Sequence, residues 1–367
     1  MKNKTKNTLI IISFFALLYG AMLANLLIPD KELSYSERRV LAKVPAYSNR
    51  ELLNGNLFED YEKYFLDQFI FRDKFRELKA FMTFSVFRQM DNKDIYLIDN
   101  RIYKLEYPLN ERAIINGAKK INEVYDKYLQ GMNVGYAIIP DKNFFVAKEN
   151  GYLSMDYDRL VGLMKENLNH ISYIDLFTIL DIDDYYNTDI HWRQEKIVDV
   201  AKLILEEMGS YINESNISYE EKRLYPFYGS YYGQGAVKLK PDSLIYLTSN
   251  SIEDVLVYDH IDKTYSRVYV EEKFDTIDSY DLFLSGPKSI LTITNNKADS
   301  DKNLILFRDS FGSSIAPLLL EGYAKITLVD LRYMSTDLLE TFIDFTEYQD
   351  AVFLYNTQIL NNSYMLK

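Results

Sequence analysis

Residues 303–314 read NLILFRDSFGSS, and this stretch decides which fold the chain is expected to adopt. The apolar run 303–307 has the length and composition of a buried strand, and residues 314–320 have those of a helix. A strand that turns directly into a helix is the repeating unit of parallel α/β sheets, whose reactive groups gather at the carboxyl ends of the strands. Ser310 stands at that position.

The same alternation extends in both directions from this stretch. Helical patterns separate short apolar runs, so we predict a doubly wound, mostly parallel α/β sheet. Residues 211–302 contain several short alternating strands and no strong helical pattern, and we predict that they form an inserted β-rich lobe. The remaining strands are predicted at 133–140, 324–329 and 351–355 and in a hairpin at 94–98 and 101–105, with a strand or a short helix at 172–179 and helices at 111–129, 157–169 and 194–208.

The N-terminal region has the pattern of a membrane anchor. Three lysines within the first six residues precede an uncharged run at residues 8–28, which is long enough to cross a bilayer as a helix. Because basic residues stay in the cytoplasm, we predict a cytoplasmic tail over 1–7 and an extracytoplasmic domain. A cleaved signal peptide begins in the same way, but no A-x-A site follows this run, so the anchor is favoured.

Residues 29–90 are predicted to form a polar stalk followed by an amphipathic helix, and residues 91–367 the main domain. Apolar side chains recur at spacings of three and four between residues 58 and 86. We expect this helix to pack on the domain. A helix on the membrane surface is the alternative, disfavoured because its charges are mixed in sign.

Composition excludes several classes of function. The net charge of -12 and the lack of a dense basic stripe argue against a nucleic-acid partner. The chain has no Cys, which excludes disulfides, thiolate zinc sites and cysteine nucleophiles. Neither a metal-ligand spacing nor a phosphate-binding loop is present, so no metal and no cofactor is expected.

Only three histidines can serve as a general base near neutral pH: His170, His191 and His260. His170 lies near a helix end, where a structural role is ordinary, and His260 has no nucleophile near it in sequence. His191 belongs to the segment TDIHW. If this segment is extended, the carboxylate of Asp189 lies on the same side and can accept a hydrogen bond from the imidazole Nδ1.

Ser310 completes the pattern of a serine nucleophile, a histidine base and an orienting acid. The helix that follows Ser310 offers free backbone N–H groups, which stabilise a developing oxyanion. Capping of that helix is the alternative role for Asp309 and Ser310. We expect His191 Nε2 to lie within hydrogen-bonding distance of Ser310 Oγ, with Asp189 on the far side of the ring.

These segments resemble a known family. The runs TDIHW at 188–192, LILFRDSF at 304–311, DLRY at 330–333 and SERRVL at 36–41 resemble the DHHW proteins and the alginate acetylation proteins AlgJ and AlgX. The resemblance implies an SGNH-hydrolase-like fold in permuted order, with the D-x-H motif before the serine.

It also implies Ser310 as nucleophile, His191 as base and Asp189 as its orienting acid. The expected reaction is transfer of acetyl groups to or from an exported polysaccharide through an acyl-enzyme, with a membrane-bound O-acyltransferase partner as the acetyl supplier. Two positions depart from the family pattern. Arg308 stands where a glycine commonly precedes the Asp-Ser pair, and Ile190 replaces the first histidine of the DHHW motif.

Further substrate-binding or oxyanion candidates come from polar residues after predicted strands. Asp141 and Lys142 are expected either at the mouth of the site or in a surface turn. Arg332 and Tyr333 are suited to a carboxylate or a sugar hydroxyl, or to a structural pair with each other. Tyr232 lies in a Tyr- and Gly-rich segment that either stacks against sugars or forms an aromatic turn.

Three functions therefore stay open at this point. The first is an extracytoplasmic serine-dependent O-acetyltransferase, and the second is a carbohydrate acetylesterase that uses the same three residues but admits water. The third is a non-catalytic protein that binds glycans or helps to assemble a polysaccharide export complex.

Overall fold

The computed structural model describes residues 2–210, 218–253, 255–298 and 300–367. Residue 1 of the predicted tail and residues 211–217 of the predicted lobe lie outside the described residues. The chain divides into two compact units. The first unit comprises residues 2–92 with 233–238, and the second comprises 93–232 and 239–367.

The first unit begins with a long apolar helix. Its stretch Lys4–Leu27 is 24 residues long and apolar enough to cross a membrane. The elements of this unit are helix α1 (Lys2–Leu27), a short hairpin of β1 (Leu33–Ser34) and β2 (Arg39–Val40), and helices α2 (Asn49–Asn54), α3 (Asn56–Asp67) and α4 (Arg72–Phe81), the last continued by a wider turn at Met82–Val86.

The amphipathic stretch forms two helices instead of the single predicted helix. Its helix is broken between α3 and α4, where Phe71 adopts a left-handed conformation with φ 59°. Its large apolar side chains are exposed, for example Phe58 at 67% and Phe75 at 54%. The charged side chains instead pair within this unit: Arg39 binds Asp67, with Nη1 2.7 Å from Oδ2.

The second unit is built on one sheet of eight strands. Across the sheet the order is β10-β9-β11-β13-β12-β14-β5-β6, and the five strands from β13 to β6 are mutually parallel. The strands of this part of the chain are β3 (Ile95–Ile98), β4 (Arg101–Lys104), β5 (Asn133–Ile139), β6 (Ser172–Ile174), β7 (Glu220–Phe227), β8 (Asp242–Thr248), β9 (Leu256–Asp259), β10 (Thr264–Arg267), β11 (Ile290–Thr294), β12 (Asn303–Arg308), β13 (Lys325–Val329) and β14 (Asp350–Asn356). A mostly parallel α/β sheet is thereby confirmed.

Helices cover both faces of the sheet because its central strands are buried on both sides. In β12, Leu304 and Leu306 belong to one core cluster, whereas Ile305 and Phe307 belong to the other. Such a strand has no polar face, which explains its unbroken apolar sequence. The helices are α5 (Glu111–Val124), α6 (Lys142–Val146), α7 (Tyr157–Asn167), α8 (Val198–Glu207), α9 (Ser230–Gly235), α10 (Gly312–Leu319) and α11 (Thr357–Leu360).

The β-rich region 211–302 contributes to two different sheets. Strands β7 and β8 form a separate antiparallel hairpin. Strands β9, β10 and β11 instead extend the central sheet, because β11 pairs antiparallel with β13 from Ile290↔Val329 to Thr294↔Lys325. Short alternating strands look the same in sequence whether they form a lobe or a sheet edge.

Burial of β12 predicts a stability cost that can be measured. Leu306 is fully buried, so Leu306→Ala should lower the free energy of unfolding by about 2–5 kcal/mol. Leu338→Ala removes a leucine that is 52% exposed and should change it by only about 0.5 kcal/mol. Urea unfolding followed by the fluorescence of the single, buried Trp192 measures both. Equal losses in the two variants would contradict this account of the core.

Candidate active site

Ser310 lies at the carboxyl edge of the central sheet. Strand β12 ends at Arg308 between its parallel neighbours β13 and β14, and helix α10 begins at Gly312. The turn is tight enough that a Cβ on Gly312 would stand 2.5 Å from the Cβ of Arg308, so only glycine fits. The Ser310 N–H makes no hydrogen bond to any residue in the described ranges.

Asp189 and His191 belong to a compact loop rather than to an extended stretch, the conformation that the sequence argument had considered. An antiparallel bridge between Tyr185 and Trp192 closes this loop, and Tyr186 N donates to His191 O at 3.1 Å. The Oδ1 atom of Asp189 accepts hydrogen bonds from both His191 N at 3.0 Å and His191 Nδ1 at 2.6 Å. The carboxylate thus closes a local turn and orients the ring at the same time, a frequent role of aspartate.

The other nitrogen of the ring reaches the serine. His191 Nε2 lies 2.8 Å from Ser310 Oγ, although 119 residues separate the two in sequence. Since Nδ1 donates its proton to Asp189, Nε2 carries the lone pair and accepts from the serine hydroxyl. Asp189 is fully buried and His191 is 6% exposed, so water screens this chain of hydrogen bonds weakly.

The segment at the start of α9 contacts the second carboxylate oxygen of Asp189, Oδ2, and the neighbouring Thr188. Ser230 N donates to Asp189 Oδ2 at 2.6 Å, and Gly229 N donates to Thr188 Oγ1 at 2.9 Å. The backbones are so close that a Cβ on Gly229 would lie 2.2 Å from Thr188 O. The sugar-stacking candidate Tyr232 is half-buried here, and its N–H donates to Thr188 O at 3.0 Å.

Lys142 lies behind the loop and does not line the mouth of the site or a surface turn. Its side chain is 2% exposed, and four backbone carbonyl oxygens lie within hydrogen-bonding distance of its three N–H donors: Ile102 at 2.6 Å, Tyr186 at 2.7 Å, Asp189 at 3.0 Å and Asn187 at 3.3 Å. Burial lowers the pKa of Lys142 to about 7, while the carbonyl acceptors favour its ammonium form. The prediction of an exposed Lys142 is therefore wrong.

Asp141 is buried as well, so its predicted place at the mouth of the site is also wrong. Its carboxylate accepts hydrogen bonds from Tyr157 OH at 2.9 Å, Thr357 Oγ1 at 2.6 Å and Asn143 N at 2.9 Å. Burial raises the pKa of Asp141, and the two hydroxyl donors oppose that rise. The Asp141 carboxylate thus joins the start of α6 to the start of α11 through hydrogen bonds.

Arg332 pairs with an acid of its own segment. Its Nε and Nη2 atoms donate to the two carboxylate oxygens of Asp330 at 2.9 and 2.6 Å, and its guanidinium lies 5.4 Å from the ring centre of Tyr333. Arg308 also lies near this acid, with Nη1 3.8 Å from Asp330 Oδ2. The structure thus places Arg332 in a structural pair, while Tyr333 is 51% exposed.

Aromatic contacts around His191 were not predicted from the sequence. The ring of Tyr280 stacks on His191, with centroids 3.8 Å apart and planes 6° from parallel. Tyr280 OH and Trp192 Nε1 both donate to Ser314 Oγ at 2.8 Å, which fixes these rings against α10. In a chain with 32 tyrosines no spacing singles out Tyr280.

The remaining histidines have other partners. The ring of His170 packs on Tyr125 at 4.7 Å, and His260 Nε2 lies 2.8 Å from Thr292 Oγ1. Burial lowers the pKa of His260. Within the described ranges, no group of three or more His, Asp or Glu residues is arranged to hold a metal ion.

Comparison with solved structures identifies the fold. The chain is similar to a DHHW family protein from Eubacterium siraeum DSM 15702, with 19% identity and a TM-score of 0.60 over 75% of this chain and 94% of that one. It is also similar to Bacillus cereus PatB1, solved with a sulfonyl adduct, with 18% identity and a TM-score of 0.59 over 72% of this chain and 95% of that one.

A weaker match, with 13% identity and a TM-score of 0.42, covers 74% of this chain and 93% of the O-acetyltransferase domain of Pseudomonas putida AlgJ. No family profile and no curated protein sequence matches the chain. The resemblance read from the motifs is confirmed at the level of the fold.

Gly229 offers a test of how tightly the Asp189 loop is held. A methyl group there would collide with the Thr188 carbonyl, so Gly229→Ala should shift the loop and slow labelling of Ser310 by a serine-directed sulfonyl fluoride by about 100-fold. Gly162→Ala is the matched control, because a Cβ at Gly162 meets no atom within 4 Å. Equal labelling rates in the two variants would show that the close approach is unimportant.

Lys142→Met removes the charge but keeps a side chain of similar length. The loop carbonyls lose their buried donor, and we expect a stability loss of roughly 1–3 kcal/mol together with labelling slowed more than about tenfold. Lys148→Met, on an exposed residue shortly after α6, should change neither quantity. If the folded Lys142→Met protein is labelled as fast as wild type, Lys142 does not help to hold the site in place.

Proposed function

We propose that the chain is a membrane-anchored, extracytoplasmic serine O-acetyltransferase that acts on an exported or cell-surface polysaccharide. The observation that carries the proposal is the chain of hydrogen bonds Asp189–His191–Ser310, with distances of 2.6 and 2.8 Å, at the carboxyl edge of a parallel sheet. A buried acid, an imidazole in a fixed tautomer and a hydroxyl in this order form the constellation of serine acyl transfer.

In the first half-reaction, His191 Nε2 takes the proton of the Ser310 hydroxyl while Oγ attacks the carbonyl carbon of the acetyl donor. The tetrahedral intermediate then collapses. The bond to the leaving group breaks, the leaving group takes the proton from Nε2, and the acetyl group stays on Ser310. The buried carboxylate of Asp189 stabilises the imidazolium that exists between these two proton transfers.

The oxyanion of each intermediate requires donors that point at it. The free N–H of Ser310 stands directly before α10, where the positive end of the helix dipole adds to its effect. Arg308 does not reach this position, because its aliphatic carbons lie beneath Gly312 and its Nη1 donates to Asp309 O at 3.3 Å. We assign the Ser310 N–H as one oxyanion donor.

In the second half-reaction, a sugar hydroxyl gives its proton to His191 Nε2 and attacks the acetyl carbon. The acyl–oxygen bond to Ser310 breaks, and Oγ recovers the proton from the imidazole. The polysaccharide acceptor and the membrane-bound O-acyltransferase that would supply acetyl groups follow from the motif resemblance. If water takes the place of the sugar, the same residues act as an acetylesterase.

Two further observations support the proposal. PatB1, which shares the fold, has been solved with a sulfonyl adduct, and sulfonylating reagents react with activated hydroxyl groups. Helix α1 has the length and apolar composition of a membrane anchor. A glycan-binding protein without catalysis would need neither an oriented His191 nor a free N–H beside Ser310.

Substitution of the proposed nucleophile tests the mechanism. Ser310→Ala should abolish transfer of acetyl groups from an activated ester to an oligosaccharide, with a loss on the order of 10³–10⁶ in rate. Ser313→Ala is the matched control, because Ser313 lies one turn away on α10 and its side chain is buried, away from the reacting atoms. Product analysis separates acetylated sugar from free acetate, and so transferase from esterase. A folded Ser310→Ala protein that retains more than about a tenth of the activity would refute the assignment.

A further inference from the structure

Helix α4 presents an apolar side to solvent. Phe71 directly precedes α4, and Phe75 and Leu78, three residues apart within it, lie on one side of the helix. They are 69%, 54% and 54% exposed, and Phe81 at the end of the helix is 58% exposed. We call Phe71, Phe75, Leu78 and Phe81 the apolar face of α4. An exposed patch of large apolar side chains marks an interaction surface in a folded protein.

The charged side of the same helix points into its own unit. Arg72 Nη2 donates to Glu37 Oε1 at 3.0 Å, and Arg76 Nη2 donates to Gly233 O at 2.7 Å. Asp73 accepts from Ser36 Oγ at 2.8 Å. A surface helix of a soluble protein has the opposite arrangement, with its apolar stripe on the core and its charges in water. The surroundings to which α4 is adapted on its outer side are therefore apolar.

Hydrogen bonds fix this helix beside the end of α1. Ile70 N, two residues before α4, donates to the side chain of Asn25 in the last turn of α1 at 2.7 Å. The side chain of Gln68 pairs with the backbone of Lys31 at 2.9 and 3.0 Å, and Tyr64 OH donates to Asp30 at 3.0 Å. The start of α4 thus lies at the level at which α1 ends.

We propose that the apolar face of α4 inserts into the interfacial layer of the outer leaflet of the same bilayer that α1 crosses. The inference rests on the proposed membrane anchoring. Aromatic side chains partition into this layer, and lysines beside them extend towards the lipid phosphates. Lys74 and Lys79 on α4 are both exposed and occupy such flanking positions. The occupant is the lipid surface, because the face continues from the end of a membrane-spanning helix.

Attachment at a second site has a physical consequence. A single helix lets the part of the chain outside the membrane swivel about its exit point, whereas an inserted apolar face adds buried area and fixes the first unit against the bilayer. The first unit then has a fixed orientation relative to the bilayer, whereas a flexible stalk would let that orientation vary. The polar stretch at residues 30–45, predicted as a stalk, is accordingly held by hydrogen bonds such as that between Gln68 Nε2 and Ala42 O at 2.9 Å.

Depth-dependent fluorescence quenching tests the proposal on the full-length protein. Phe75→Trp and Leu78→Trp each place an indole on the face, with buried Trp192 as a constant background. The proteins are reconstituted into phosphatidylcholine vesicles that carry bromine near the upper part of the acyl chain, and into unbrominated vesicles. Leu53→Trp, at a side chain in α2 that is 86% exposed, is the reference for an indole in water.

Indoles on the face should emit at shorter wavelength than the reference and lose intensity only in brominated vesicles. Flotation of the vesicles reports separately whether α1 anchors the chain. If the protein floats but both indoles emit at the wavelength of the reference, α4 does not insert into the bilayer, and the anchoring by α1 still holds. Short-wavelength emission without bromine quenching would show that another protein copy covers the face, which also overturns it. Failure to float would remove the anchor and the inference together.

Discussion

The ammonium group of Lys142 is the contact on which the geometry of the candidate site depends. The loop that carries Asp189 and His191 is closed at its base by the bridge between Tyr185 and Trp192, and three of its carbonyl oxygens converge on this one buried cation. The fourth carbonyl, that of Ile102, belongs to strand β4, so the cation also ties the loop to a hairpin. A buried charge that satisfies several acceptors is expensive to disturb, which makes the loop rigid.

Asp242 fixes the same loop from the opposite direction. Its carboxylate accepts from Asn187 N at 3.1 Å, Thr188 N at 2.8 Å and Thr188 Oγ1 at 2.6 Å. The loop is therefore held through its carbonyl oxygens by a cation and through its N–H groups by an anion. Lys142 contacts the backbone of Tyr186, Asn187 and Asp189, Asp242 contacts Asn187 and Thr188, and neither touches the reacting atoms. They are positioning residues, and the 2.8 Å contact between His191 and Ser310 is the geometry that they maintain.

The sequence was most informative where a residue's position in the fold leaves a mark on the local pattern of apolar and polar residues. Strand β12 and the position of Ser310 could be predicted because a doubly buried strand is apolar throughout and because such strands end at reactive edges. The pairing of His191 with Ser310 could be inferred because only three histidines were available. Lys142 could not be placed, since Pro-Asp-Lys after a strand has the composition of an exposed turn and its burial depends on partners distant in sequence.

Tyr280 and the exposed side of α4 show two other limits. The stacking of Tyr280 on His191 depends on tertiary contact alone. The periodicity of α4 was recognised, but periodicity alone does not tell which side of a helix faces the protein.

The central claim is that Ser310 carries the acyl group between donor and acceptor. Its most direct test is acid quenching of the wild-type protein within the first turnover of an activated acetyl ester, followed by mass spectrometry of its peptides. The account predicts one acetyl group, attached to Ser310 and lost when an acceptor sugar is added before the quench. Acetylation at another residue, or an unmodified Ser310 while ester is being consumed, would contradict it.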